Sequence, residues 1–333
     1  MSKIEDIKNN ESNSWEMYWS GANKAGAFSD GGVNHPSVDA FWNTFFAAES
    51  NKSSDKLSLI DIASGNGAVV NIASKCFSES TLNITSLDLS EAAIKQLIET
   101  NPNVKGLVCD ATNIPLPNHC ANIVTSQFGI EYAGDEAIEE AARLVKDEGS
   151  IVLLMHHNLG LIYQESDINL DAISLISDAR VIPLAIDFFN AALHALSTGD
   201  KSNYEATAKL FGPSVKELEN IMRKYSKDVA GGLVFKLYND FADIHEGIQK
   251  YDLNEVIKWL KTLDIELSGY SNRMQSMLNA AKAETEVQDI CRRLTQLSFQ
   301  VEIADSLYAP NSDKPLAWIV MASKNNTSGK NND

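Results

Sequence analysis

Leu57, Leu59, Ile60 and Ile62 form a short apolar run, closed by Gly65 and Gly67 and followed by a stretch of helical apolar spacing. Such a run predicts a buried strand, a tight turn and a helix that opens near Gly67. The alternation continues. Strands are predicted over 83–87, 104–109, 121–126 and 150–155, and helices over 91–100 and 136–145. Asn101-Pro102-Asn103 stops the first of these helices, and Pro115 and Pro117 mark a loop before the fourth strand. From 158 to 296 the strand signal vanishes. Ser214-x-x-Glu217 after Pro213 and Asp252-x-x-Glu255 predict helix starts of the capping-box kind. Leu253, Val256, Ile257 and Leu260 share a helical face. So do Met274, Met277, Leu278 and Ala281, in a helix predicted to run to Leu297. Gly231-Gly232 marks a break. Strand period returns with Phe299, Val301 and Ile303 against Gln300 and Glu302, and a last buried strand is predicted over 316–322.

Before the first strand, Trp15, Tyr18, Trp19, Phe28, Phe41, Trp42, Phe45 and Phe46 crowd a short stretch. A loop rich in Gly, Ala, Ser and Asp, Gly21 to Asn34, divides them, and His35-Pro36-Ser37 leads into a predicted helix. Two roles stay open. The aromatics pack an N-terminal helix pair onto the domain, or the loop closes over a ligand and brings Tyr18 or Trp19 near it.

Composition narrows the class. The chain has 333 residues, 44% of them apolar and 22% charged, which is ordinary for a globular protein with a sizeable core. A net charge of −17 argues against a broad polyanion-binding surface. The four cysteines, Cys76, Cys109, Cys120 and Cys291, are scattered and suggest neither a zinc site nor a disulfide framework. The segment MSKIEDIKNNESN lacks the apolar core of a signal peptide, and no run approaches a membrane span of about 20 apolar residues. A cytoplasmic protein is expected, with a disordered tail over 325–333.

The first turn carries Asp61-x-Ala63-x-Gly65-x-Gly67. Glycine lets the main chain take positive φ and touch a ligand without a Cβ between them, and the following helix offers free N–H groups. A dinucleotide turn asks for G-x-G-x-x-G, but counting from Gly65 the sixth position is Val70, which speaks against a nicotinamide enzyme. Left-handed alanine costs about 1–2 kcal/mol, so Ala63 is expected at negative φ.

With its acidic residue at Asp61, this turn resembles motif I of the class I S-adenosylmethionine-dependent methyltransferases, D/E-x-G-x-G-x-G, with Ala63 standing for the first glycine. The order of elements through 57–157 carries the resemblance further. Asp88-Leu89-Ser90 ends the second predicted strand, Asp110-Ala111 ends the third, and Gln127 follows the fourth. Asp110 through Ile114-Pro115-Leu116-Pro117, and Glu140-Ala141-Ala142-Arg143-Leu144-Val145-Lys146, are similar to the small-molecule branch that includes ubiquinone-type methyltransferases. The resemblance implies S-adenosyl-L-methionine as cofactor. It implies a cofactor site of Asp61, Ala63, Gly65, Gly67, Asp88, Leu89, Asp110, Ala111 and Gln127, with Tyr18 added from the N-terminal segment. Asp88 would take the ribose hydroxyls, and Asp110 and Ala111 the adenine edge.

The implied fold is α/β: a Rossmann-like, doubly wound, mostly parallel seven-stranded sheet with a large helical insertion between strands 5 and 6. The last strand would lie antiparallel between the fifth and sixth. The expected organisation is an aromatic-rich helical cap over 1–50, a core over 51–157 and 297–324, and an insertion over 158–296 that serves as a substrate lid or a dimer interface. Transfer to oxygen needs the acceptor proton removed, and histidine suits that task. His156 and His157 end the fifth strand, and alternation lets only one of them face the site. Glu131 and Tyr132, after the fourth strand, are rival catalytic candidates. The Asn/Asp-Pro-Pro-Tyr/Phe signature of enzymes that methylate exocyclic or amide nitrogens is replaced by Ser126-Gln127-Phe128-Gly129. A small-molecule methyl acceptor is therefore expected, oxygen slightly ahead of nitrogen or sulfur. RNA or protein methylation, and cofactor binding without turnover, are the alternatives.

Overall fold

The sheet holds seven strands in the order β3-β2-β1-β4-β5-β7-β6. These are β1 (Leu57–Ile62), β2 (Leu82–Asp88), β3 (Lys105–Val108), β4 (Ala121–Gln127), β5 (Val145–His156), β6 (Phe299–Tyr308) and β7 (Pro315–Lys324). The first five pair in parallel, while β7 runs antiparallel to both β5 and β6. The structure is a computed structural model and describes residues 15–20, 35–52 and 56–325. Phe28, the loop of residues 21–34 and the tail beyond 325 lie outside the described residues.

The helices are α1 (residues 15–19), α2 (Pro36–Lys52), α3 (Ala68–Cys76), α4 (Glu91–Thr100), α5 (Ile130–Ala133) and α6 (Asp135–Leu144). Between β5 and β6 come α7 (Leu161–Asp178), α8 (Val181–Thr198), α9 (Ser202–Tyr225), α10 (Leu233–Glu246), α11 (Leu253–Ala280) and α12 (Glu284–Gln296).

The chain divides into two compact units. The first carries the sheet, and its central strands β1, β4, β5 and β7 are buried on both faces because helices cover both. Ile123, Val152 and Leu154 pack with Trp42 and Phe46 of α2 and Val69 of α3. Their neighbours Val124, Ile151 and Leu153 pack with Ile138 and Ala141 of α6 and with Val287, Ile290 and Leu294 of α12. The period of two thus sorts each strand between two helical layers. The second unit, Glu165–Gln275, is helical around its own core of Phe188, Phe189, Phe211, Leu237, Phe241 and Leu260.

Two helix expectations change. Ser214 does not start a helix, because α9 runs through Pro213 from Ser202 to Tyr225 and the Ser214 hydroxyl donates to Ala179 O at 2.7 Å. The helix expected to reach Leu297 instead stops at Ala280. Lys282 leaves it to pair beside β5, with its N–H on His156 O at 2.8 Å, and α12 starts afresh at Glu284. That restart puts α12 in the first unit, against the sheet, rather than in an insertion reaching 296. Asp252 does open α11, accepting from Asn254 N at 2.9 Å. Among the described residues no helix is long and apolar enough to cross a membrane.

Candidate active site

Asp61 sits inside β1 and is only 1% exposed. Its Oδ1 accepts from the Thr125 hydroxyl of β4 at 2.8 Å, while Oδ2 has no partner among the described residues. Burial, with some repulsion from Asp88, lifts its pKa from 3.8 to about 7. The turn after β1 then winds left-handed at Ala63 (φ 53°), Gly65 (φ 52°) and Gly67 (φ 91°). Ala63 therefore departs from its expected negative φ. The room comes from a distant residue: Gly129, where an added Cβ would lie 2.4 Å from the Ala63 Cβ.

Asp88, at the end of β2, ties this turn to the next. Its Oδ2 accepts from Gly65 N at 2.8 Å and its Oδ1 from Ser90 N at 2.9 Å. Burial pushes its pKa up, and the hydrogen bonds from Ser90 and Gly65 oppose the rise. Ser90 caps α4 through Ala93 N at 3.1 Å. Leu89, between these two polar residues, is 56% exposed. Asp110 accepts from the Thr112 N–H and hydroxyl, each at 2.8 Å, and Ala111 is half-buried behind it. Arg143 of α6 holds the loop that follows by donating to Ile114 O (3.0 Å), Leu116 O (2.7 Å) and Glu140. The Gln127 amide oxygen takes the Trp42 indole N–H at 2.6 Å.

On the other side of the β4 end, α5 carries Glu131, which is 4% exposed. Its Oε1 lies 2.7 Å from His156 Nδ1 and accepts from His156 N at 2.8 Å. Its Oε2 has no partner among the described residues. Phe128, at φ 53°, places its ring 4.6 Å from the His156 ring. The Tyr132 ring stands edge-on to His156 at 5.8 Å, and Trp15 stands edge-on to Tyr132 at 5.7 Å. His157 goes elsewhere. It stacks on Trp318 at 4.2 Å and accepts from Leu159 N at 3.0 Å, and burial lowers its pKa. So the geometry joins His156, Glu131 and Tyr132 and leaves His157 out of the group.

The aromatic found against the glycine turn is Trp19, and Tyr18 stacks edge-on to it at 4.7 Å. Sequence reasoning missed Glu16, Thr125 and Ser64. Thr125 was accessible in principle, since a buried acid on one strand calls for a donor on the next. Glu16 carries no local signal.

Residues 60–153 match the family described as Methyltransferase domain. The chain carries a class I S-adenosylmethionine-dependent methyltransferase domain. Its curated relatives include the ubiquinone/menaquinone biosynthesis C-methyltransferase UbiE of Campylobacter jejuni, 29% identical over 103 residues, which are 29% of this chain and 44% of the relative. UbiE of Burkholderia vietnamiensis is 27% identical over 119 residues, covering 34% and 48%. The chain thus spans less than half the length of these relatives. Among solved structures, a SAM-dependent methyltransferase from Aquifex aeolicus is 18% identical over 38% of this chain and 70% of that one, with a TM-score of 0.32. The CurJ carbon methyltransferase is 9% identical over 86% and 54%, with a TM-score of 0.44.

The methyltransferase domain's residues fit its cofactor, S-adenosylmethionine. The turn winds left-handed at Gly65 and Gly67, which carry no Cβ to stand between main chain and ligand, buried Ser64 Oγ and Asp61 Oδ2 have no partner among the described residues, and the carboxyl groups of Asp61 and Asp88 suit a cationic ligand.

Proposed function

We propose that this chain is a methyltransferase for a small-molecule acceptor that carries an ionisable O–H, a phenol or an enol. The observation that carries the reading is the buried Glu131–His156 pair at the end of β5. Glu131 receives the Nδ1 side of the imidazole, so the Nε2 lone pair is left to act as base. Glu131 also balances the charge of the imidazolium that forms when His156 takes the proton. Phe128 and Tyr132 confine the ring.

The cofactor, when bound, supplies an electrophilic methyl group on a sulfonium. The chain supplies alignment and a place for the proton. Asp88 and Leu89 would hold the ribose and adenine, Asp110 and Ala111 the far edge of the adenine, and Asp61 and the turn at Gly65 the amino-acid end. Gln127, held by the Trp42 indole N–H, would line the site beside them. An ionised phenol or enol is nucleophilic at oxygen and at the carbon next to the one that bears the oxygen. The base therefore serves either outcome, and the slight preference for oxygen belongs to this proposal. A net charge of −17 weighs against an RNA acceptor, and a cytoplasmic setting is part of the same proposal.

The test begins with calorimetric titration by S-adenosylmethionine, S-adenosylhomocysteine and NADH. Binding of the first two and not the third is expected. The protein is then given methyl-labelled cofactor and a metabolite extract, beside a His156→Ala variant. Label should enter small molecules with the wild type and not with the variant, while both bind S-adenosylhomocysteine equally. Label recovered only in RNA or protein would overturn the reading.

A further inference from the structure

The Trp19 ring occupies the face of Gly65 that a cofactor must reach. A Cβ built on Gly65 would lie 2.7 Å from Trp19 Cζ2, 2.9 Å from Cη2 and 3.6 Å from Cε2. The six-membered edge of the indole therefore rests against the glycine main chain, and no atom fits between them. The absent side chain at Gly65 is what permits close approach by a ligand, so ring and ligand compete for one face.

Three further contacts hold the segment down. Glu16 accepts from the Ser90 hydroxyl at 2.5 Å and from Ala92 N at 3.3 Å, which latches α1 onto the first turn of α4 beside Asp88. Gln96 Nε2 donates to Trp19 O. Trp15 stands against Tyr132, next to His156. The Glu16 carboxylate adds a negative charge to the field of Asp88, which helps push that carboxyl's pKa up. A latch that sets two carboxylates near each other is self-limiting, as a releasable contact has to be.

We propose that residues 15–19 form an autoinhibitory strap: in the cofactor-free chain Trp19 fills the face of Gly65 and Glu16 latches the strap to Ser90, and cofactor enters only when both let go. The proposal rests on the S-adenosylmethionine reading of the turn.

It is tested with S-adenosylhomocysteine on wild type, Trp19→Ala and Glu16→Gln, each checked first for a cooperative thermal transition. Calorimetry gives affinity and stopped-flow fluorescence gives association rate. Both variants should bind more tightly and associate faster, by about tenfold if the open form is roughly a tenth of the wild-type population. The Trp19→Phe variant should lose the wild-type fluorescence change on binding. Affinity that is equal or weaker in both variants would overturn the strap and make Trp19 a roof over bound cofactor. Glu16→Gln also covers the case in which Trp19→Ala fails to fold, since it alters one oxygen of a half-buried side chain. Failure of wild type and variants alike to bind would sink the cofactor reading and the strap with it. Failure of the strap alone leaves wild-type binding intact.

Discussion

Asp61→Asn should make the protein more stable above neutral pH, with a gain that fades in acid. In the folded chain the Asp61 carboxyl is buried, with Thr125 as its one side-chain hydrogen-bond donor among the described residues, and titrates at about 7 instead of 3.8. The folded state therefore holds a proton that the unfolded chain releases anywhere between those values. Stability from this group is fully present below pH 3.8 and is lost as pH rises to about 7. At 1.36 kcal/mol per pH unit, the gap amounts to about 4 kcal/mol. Asparagine keeps the oxygen that Thr125 needs and has no charge to bury, so it escapes the loss. The assay is urea unfolding of wild type and variant from pH 5 to pH 8.5, followed by tryptophan fluorescence. Other titrating groups largely cancel in the difference. That difference should grow toward about 4 kcal/mol with rising pH and flatten above pH 8. A difference that stays constant across the range would refute the claim that Asp61 is protonated in the folded site.

Asp88→Ala removes the acceptors of Gly65 N and Ser90 N together. S-adenosylhomocysteine affinity should fall more than about tenfold, since the two hydrogen bonds expected from the ribose hydroxyls to this carboxylate, about 1.5 kcal/mol each, are lost as well; unchanged calorimetric affinity in a folded variant would take Asp88 out of the site. Gly129→Ala drives a Cβ to 2.4 Å from the Ala63 Cβ. It should lower the thermal midpoint, with a loss of about 1–3 kcal/mol, and Ala63→Gly in the same chain should restore part of it. Ala63→Gly alone should stabilise the fold by about 1 kcal/mol by relieving a left-handed alanine, as read by denaturant midpoint. Glu131→Gln keeps the shape of the dyad but not its charge. It should leave S-adenosylhomocysteine binding intact and slow methyl transfer, with the deficit shrinking as pH rises. A variant with full turnover would remove Glu131 from the proton path.

The alternation of strands and helices was legible because a sheet covered on both faces needs apolar runs, and Ile151 to Met155 and Leu316 to Ala322 supply them without a break. Strand order was not legible in that way. Nothing in residues 299–324 says that β7 enters between β5 and β6, and the order came from resemblance alone. The errors share a physical form. Ala63 was assigned negative φ by counting a local steric cost, whereas the room for its left-handed turn comes from Gly129, distant in sequence. Pro213-Ser214-x-x-Glu217 imitates a helix start, but Phe211, Ser214, Leu218 and Ile221 continue one buried face through it. The break at Lys282 carries neither glycine nor proline. It exists because the strand end at His156 offers a carbonyl, a partner invisible to local pattern. At His156-His157, alternation said that one ring faces the site. That His156 pairs with Glu131 and His157 stacks on Trp318 was not in the pattern.

These non-local contacts are also what link the two halves of the site. Ala63 and Phe128 are left-handed residues at the ends of neighbouring parallel strands, and such strain, of order 1–3 kcal/mol each, persists only where surrounding structure enforces it. Here the enforcement is mutual. The Ser126 hydroxyl donates to Ile62 O at 2.8 Å and accepts from Ile130 N at 3.1 Å, so one side chain fixes the end of β1 and the start of α5. Gly129 lets the two turns interlock, and its neighbour Phe128 is thereby aimed at His156. The turn that would carry the cofactor and the helix that carries Glu131 therefore cannot shift independently. If His156 is the base of the proposed reaction, an acceptor that it deprotonates has to stay in line with the methyl donor, so the two halves must keep one spacing. A pair of strained, interlocked turns provides that rigidity without a direct contact between Gly65 and His156.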